Sequence, residues 1–133
     1  MRFVIQRVKN ASVTINDKET RRIGEGLMVL AGIGQEDTSS DIDWMARKLI
    51  NLRIFEDSEK KMNLSLTDID GELMLVSQFT LFASTKKGNR PGFGNSAPPE
   101  KAIPVYNSLI EKIEEISGKK PVTGEFGASM DIE

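Results

Sequence analysis

The sequence predicts an α+β fold: a mainly antiparallel sheet or β-barrel-like core with two flanking helices. Three observations predict it. Short strand-like segments crowd residues 1–33, two later stretches repeat their apolar residues with helical period, and one long apolar strand lies between those helices. No repeat and no dividing linker interrupts the 133 residues, so a single domain spanning residues 1–133 is expected, with one hydrophobic core.

Residues 1–8 alternate, with Phe3 and Ile5 set against Arg2 and Gln6, as a half-buried strand does. Residues 12–15 read as a second strand, Asn16-Asp17 as a turn, and residues 18–23 as the returning hairpin partner. After Gly24-Glu25-Gly26, the continuous apolar run from Leu27 to Ile33 suits a strand covered on both faces, at the centre of the sheet. Thr38 and Asp41 have capping-box spacing, and Ile42, Met45, Ala46, Leu49 and Ile50 then recur on one helical face. Arg47 and Lys48 fall on the wet face, and Trp44, beside the apolar stripe, is expected to be partly buried. Charged and turn residues dominate residues 55–70, with a short strand at 62–66.

Residues 72–82 read as one long strand interrupted by Ser77-Gln78 and Thr80, and a loop rich in Gly, Asn, Ser and Lys follows from 83 to 97. The second helix places Ala102, Val105, Tyr106, Leu109, Ile113 and Ile116 on one face, and Gly118 with Pro121 ends it. Pro104 lacks the N–H that an interior position needs, so it belongs in the first turn or kinks the helix. Residues 122–133 read as extended, with Phe126, Met130 and Ile132 as buried anchors.

Composition restricts the chemistry. The chain has no cysteine and no histidine, which excludes thiol catalysis, disulfides, imidazole bases and Cys/His zinc sites within one chain. Any catalysis must use hydroxyls, carboxylates, amines, backbone dipoles or groups of the substrate itself. A net charge of −2 argues against a bulk polyanion binder and leaves room for a local basic patch; no DNA partner is expected. Neither a membrane span nor a signal peptide is expected, because no apolar run nears the roughly 20 residues a bilayer needs and charge returns early in the chain. A cytosolic location is the expectation.

Candidate chemistry centres on Leu73-Met74-Leu75-Val76-Ser77-Gln78-Phe79-Thr80-Leu81-Phe82. Read as a strand, it sends Gln78 and Thr80 to one face with Val76 and Phe82, and Ser77 to the other with Leu75 and Phe79. Burying a polar group unpaired costs about 1–3 kcal/mol, so these residues need either backbone partners or a small polar pocket with an apolar rim. The loop Lys86-Lys87-Gly88-Asn89-Arg90 comes next, and its three cations either stay solvated or meet phosphates near whatever the strand binds. Gly32-Ile33-Gly34 precedes a helix, yet Asp37 stands where a dinucleotide fingerprint needs a small residue, so the segment reads as a plain turn. Asp68 with Asp70, and Glu56 with Asp57, are pairs of the kind hydrophilic loops carry routinely, and they are weak metal or acid/base candidates.

Taken in order, these residues resemble the D-aminoacyl-tRNA deacylase family along the whole chain. The similarity runs through residues 1–8, Ala46-Arg47-Lys48, residues 51–55 and 61–65, and Ser77-Gln78-Phe79-Thr80-Leu81. It continues through Lys87-Gly88 with Arg90-Pro91, Ala97-Pro98-Pro99-Glu100, Gly124, Phe126-Gly127-Ala128 and Met130. The resemblance implies a homodimer of barrel-like subunits, with no metal or cofactor, that hydrolyses the ester between a D-amino acid, or glycine, and the 3′-terminal adenosine of tRNA. It implies that Ser77, Gln78, Phe79 and Thr80 line the pocket, with Gln78, Phe79 and Thr80 at the reacting ester. Phe126 and Met130 would help hold the adenosine, Arg7 would lie by the substrate, and Lys86, Lys87 and Arg90 would meet tRNA phosphates.

Absence of histidine and cysteine suits that reading, because an activated ester needs positioning and stabilisation of its oxyanion, which N–H groups around Gln78 and Phe79 can supply. Thr80 would have no histidine to activate it, so assistance from the substrate's 2′-hydroxyl is preferred, with Thr80 serving the pocket. Family members continue past the Met130 region into an Asn-x-Gly-Pro-x-Thr motif, whose Gly-cis-Pro dipeptide enters the partner's pocket and excludes L-amino acids. The sequence reaches Glu133 without that motif, so the domain is expected to lack it. The alternative reading is a non-catalytic module, or inactive paralogue, that binds an RNA 3′ end.

Overall fold

Alternating side chains build most of the first third of the chain into strands. In the computed structural model, which describes residues 1–133, β1 (Arg2–Val8), β2 (Ala11–Ile15), β3 (Glu19–Ile23) and β4 (Gly26–Gly32) precede α1 (Ser39–Asn51). A ribbon of β5 (Phe55–Glu56) and β6 (Met62–Leu64) follows, then β7 (Glu72–Ser77) and a one-turn 3-10 helix at Phe79–Phe82. The chain closes with α2 (Pro99–Ser117), β8 (Val122–Thr123) and β9 (Met130–Ile132). Asn16 and Asp17 take positive φ of 50° and 56°, a conformation their short polar side chains tolerate, and so turn β2 back into β3 as predicted.

The main sheet has the order β1-β4-β7-β8, and a second sheet has the order β3-β2-β9. Pairing of β1 with β4 and throughout the second sheet is antiparallel, whereas β4–β7 and β7–β8 are parallel. The α+β class therefore holds, and the mainly antiparallel expectation is modified at the centre of the fold. Its physical cause is the crossover through α1 and the ribbon, which brings β7 back beside β4 in the same direction. The strands pair as separate sheets and do not close into a barrel.

β4 is central and covered on both faces, as its continuous apolar run predicts. Leu27, Val29 and Ala31 join Leu73 and Leu75 of β7 beneath the buried faces of α1 and α2. Met28 and Leu30 face the other way, with Met74 and Val76, against Val13, Ile15 and Ile23 of the second sheet. Helices, four-stranded sheet and three-stranded sheet thus make three layers.

The Asp41 carboxylate accepts hydrogen bonds from the Thr38 N–H and hydroxyl, both at 2.8 Å, and caps α1. Ile42, Ala46, Leu49 and Ile50 are buried, but Trp44 is 60% exposed, against expectation. Two residues on from Ile42, it is rotated about 200° from that residue and leaves the buried face. Its ring instead sits 5.3 Å from the Lys48 ammonium. α2 buries Ala102, Tyr106, Leu109 and Ile113 and stops at Gly118, whose φ of 72° suits glycine. Pro104 lies past the first turn, and α2 runs on through it. Lys112 ties α2 to α1 through Asp43 at 3.5 Å. No helix is long and apolar enough to cross a membrane.

Candidate active site

The polar strand ends sooner than its apolar pattern implies. β7 stops at Ser77, and Gln78 leads into the 3-10 turn, so the alternation predicted through Phe82 breaks off. Gly32 permits this turn to pack on β4: a Cβ there would come within 3.1 Å of both the Gln78 carbonyl oxygen and Leu81 Cβ. From β1, Arg2 donates to the Leu81 carbonyl at 2.9 Å and lays its guanidinium 4.6 Å from the centre of the Phe82 ring. Neither Gly32 nor Arg2 was marked out for this task by the sequence.

The turn borders a cleft of about 310 Å³ at the carboxyl ends of the parallel strands β4 and β7, where open sheets of parallel strands commonly leave a crevice. Val76, Ser77, Gln78 and Phe79 line it from one side. Ser96, Ala97 and Ala102, around the start of α2, line another, and Phe126, Met130 and Ile132 a third. Size does not single it out, since a groove beside Asp70, Lys119 and Lys120 holds about 320 Å³. Lining does: ten of fourteen residues are hydrophobic here, against four of eleven there, and a few polar groups converge on the apolar walls.

Backbone and side-chain ties hold the walls in place. The Ala97 N–H donates to the Ile33 carbonyl at 2.9 Å. Tyr106 donates to the Leu75 carbonyl at 2.7 Å, burial pushes its phenol well up, and its ring lies 6.1 Å from that of Phe126. Arg21 donates to the carbonyls of Thr123 and Gly124 at 2.7 and 3.2 Å, fixing the approach to the third wall. β9 then pairs Met130 with Ile15 of β2. A turn in which the Ala128 N–H donates to the Glu125 carbonyl at 3.2 Å interrupts the extended stretch predicted for residues 122–133. Phe126, Met130 and Ile132 are therefore half-buried at the cleft rather than sealed in the core.

Of the predicted site residues, Ser77, Gln78, Phe79, Phe126 and Met130 converge on this cleft. Thr80 lies in the adjoining turn, outside the lining, and its Oγ1 accepts a hydrogen bond from the Gln78 side-chain amide. Lys86, Lys87 and Arg90 are exposed on a loop that Ser84 and Gly92 close with paired hydrogen bonds of 2.8 and 2.9 Å. Arg7 sits elsewhere: it pairs with Leu27, whereas Ala31 at the cleft pairs with Phe3, a separation of about 14 Å along the strand. It donates to the Ile54 carbonyl at 2.7 Å and borders a different groove, with Glu25 and Glu56.

The Gln78 N–H is engaged by the Ala31 carbonyl at 2.8 Å, which corrects the expectation that it is free for an oxyanion. The Phe79 N–H opens the 3-10 turn, where helical geometry supplies no intrahelical partner. Ser96, which sequence reasoning missed, brings to the cleft a buried Oγ with no hydrogen-bond partner in the protein. Other polar candidates brace turns. Asp57 accepts the Glu59 and Lys61 N–H groups at 2.8 and 3.1 Å, Asp68 accepts the Ser65 N–H and hydroxyl, and Asp37 accepts the Gly34 N–H and pairs with the N-terminal ammonium.

Fold and cleft define an α+β protein with a small, mostly apolar site at the ends of two parallel strands, in which chemistry must proceed without imidazole or thiol. The family model for D-Tyr-tRNA(Tyr) deacylase matches residues 4–133. The chain is 54% identical to the D-aminoacyl-tRNA deacylase of Chlorobaculum parvum over 99% of its own length and 89% of that relative's. Identity to the enzyme of the same name from Flavobacterium psychrophilum is 53%, over 99% and 88% of the two chains. Among solved structures, a c-Myc DNA Unwinding Element Binding Protein superposes with a TM-score of 0.93 at 41% identity, covering 100% of this chain and 90% of that one. A probable eukaryotic D-amino acid tRNA deacylase shares the fold, with a TM-score of 0.81 at 16% identity over 98% and 92% of the chains. The chain belongs to the D-Tyr-tRNA(Tyr) deacylase family.

Proposed function

We infer that this protein hydrolyses the ester joining a D-amino acid to the 3′-terminal adenosine of tRNA. The observation that carries the reading is the convergence of Ser77, Gln78 and Phe79 with Phe126 and Met130 on one cleft, in a family member whose chain holds no histidine or cysteine. An aminoacyl ester is activated by its neighbouring 2′-hydroxyl, so positioning and steadying of the developing oxyanion suffice. In this reading the Phe79 N–H faces the oxyanion and Ser77 and Gln78 orient the aminoacyl group. The apolar wall of Phe126 and Met130 takes the adenosine, and the exposed Lys86, Lys87 and Arg90 meet the phosphates behind it. Thr80 braces Gln78 through their hydrogen bond. Glycine, with no side chain to exclude, would also be accepted.

Arg7 stands about 14 Å along the strand from this chain's own cleft and borders a different groove, so a part for it at the aminoacyl-adenosine would be supplied to the cleft of a second subunit, and a homodimer belongs to the proposal. The setting is translation in the cytoplasm. Incubating the purified protein with D-aminoacyl-tRNA should release free amino acid and leave the L-aminoacyl form almost untouched. Equal inertness toward D-aminoacyl-tRNA and glycyl-tRNA would reduce the protein to a module that binds an RNA end. A second reading, binding of DNA, is suggested by the name of the 41% identical relative. It calls for tight binding of a DNA oligonucleotide with no release of amino acid from either substrate.

A further inference from the structure

We propose that Phe93, packed against Phe79 at the cleft mouth, forms a stacking platform for the base of the nucleotide that precedes the terminal adenosine. The proposal rests on the tRNA 3′ end being the ligand. The two rings meet edge to face, with centroids 5.1 Å apart and planes at 76°. They are 56% and 37% exposed, so neither is there to fill a core. Single exposed aromatics need no explanation, but an interacting pair beside a ligand cleft makes an apolar surface the size of a base.

The fold places this pair between two features that would hold a strand of RNA. Phe79 lines the cleft itself, whereas Phe93 does not. The hydrogen bonds between Ser84 and Gly92 close the basic loop, so the chain leaves Lys86, Lys87 and Arg90 and arrives directly at Phe93. Cleft, Phe79, Phe93 and cations therefore follow in that order. A terminal nucleoside in the cleft puts the preceding base at the mouth and its phosphate toward the loop. An edge-to-face pair leaves ring faces open, and stacking on them accepts any base, because every base has a π-face.

The test compares two substrates, D-aminoacyl-tRNA and D-aminoacyl-adenosine, which lacks the preceding nucleotide. Phe93→Ala should raise KM for the tRNA about 5- to 150-fold, the usual worth of one stacked base. Hydrolysis of aminoacyl-adenosine should be unchanged, and Phe93→Trp should restore the tRNA value. Equal losses on both substrates would mean that Phe93 merely props Phe79, and no loss on tRNA would remove the platform altogether. Wild-type protein that cleaves neither substrate would fail the hydrolase reading alone. In that event affinity for a short single-stranded RNA with a free 3′-adenosine must fall by the same factor in Phe93→Ala, and an unchanged affinity overturns the platform. Tighter binding of a DNA of the same sequence would overturn RNA as its occupant.

Discussion

The Thr80 hydroxyl accepts a hydrogen bond from the Gln78 amide, a group that cannot take a proton from it, and no histidine exists to do so. Removing that hydroxyl deletes one neutral hydrogen bond at a turn, an interaction worth about 0.5–1.5 kcal/mol. Thr80→Ala should therefore keep single-turnover hydrolysis of D-aminoacyl-tRNA within about tenfold of wild type. A loss of several orders of magnitude, the scale on which nucleophiles fail, would make Thr80 covalent. Residue types alone marked Ser77, Gln78 and Thr80 as polar groups in apolar company, and the family resemblance added Phe126 and Met130. Gly32, Arg2 and Ser96 stayed hidden. Gly32 and Arg2 each act on a segment far along the chain, Ser96 reaches a cleft built from segments distant in sequence, and nothing in their immediate neighbours records this.

Carboxylates at the ends of elements govern how the fold responds to acid. Hydrogen bonds from the Thr38 backbone and side chain hold Asp41 below its ordinary 3.8, those from the Lys61 and Glu59 backbone and Asn63 do so for Asp57, and those from Ser65 for Asp68. A carboxylate whose folded pKa is depressed contributes stability that is complete above its unfolded value and lost as pH falls through its folded value. The denaturant midpoint should thus hold from neutral pH to about 5 and decline through the range below 4. Asp41→Ala removes the cap of α1 and should be less stable than wild type at neutral pH, the two converging as pH falls through the folded pKa of Asp41. A gap still open in acid would assign Asp41 a packing role instead. Caps and faces of this kind were legible because they are local: Thr38 with Asp41, the stripe of α1, and Gly118 after α2 all lie within a few turns of what they specify. The end of β7 was not. Phe79, Leu81 and Phe82 prolong its apolar pattern, and only packing against Gly32 shows that the backbone has already turned.

Across the whole molecule, strand order and cleft were the least legible features, since both join segments distant in sequence. The crossover that makes β4 and β7 parallel also brings their carboxyl ends together, and the cleft opens there between the start of α2 and the β9 segment. The charge distribution has a similar lesson. A net charge of −2 hides a loop where Lys86, Lys87 and Arg90 stand exposed, closed at its base by Ser84 and Gly92 next to Phe93. If they hold phosphates, each releases counterions from a single strand and steepens the salt dependence of binding by about 0.7 in the log–log slope. Replacing all three with alanine should flatten the slope for D-aminoacyl-tRNA by up to about 2, leave D-aminoacyl-adenosine hydrolysis alone, and bring variant and wild type together at high salt. That convergence separates charge from damage, because a misfolded loop would weaken binding at every ionic strength. A slope identical to wild type would return the three cations to the solvent.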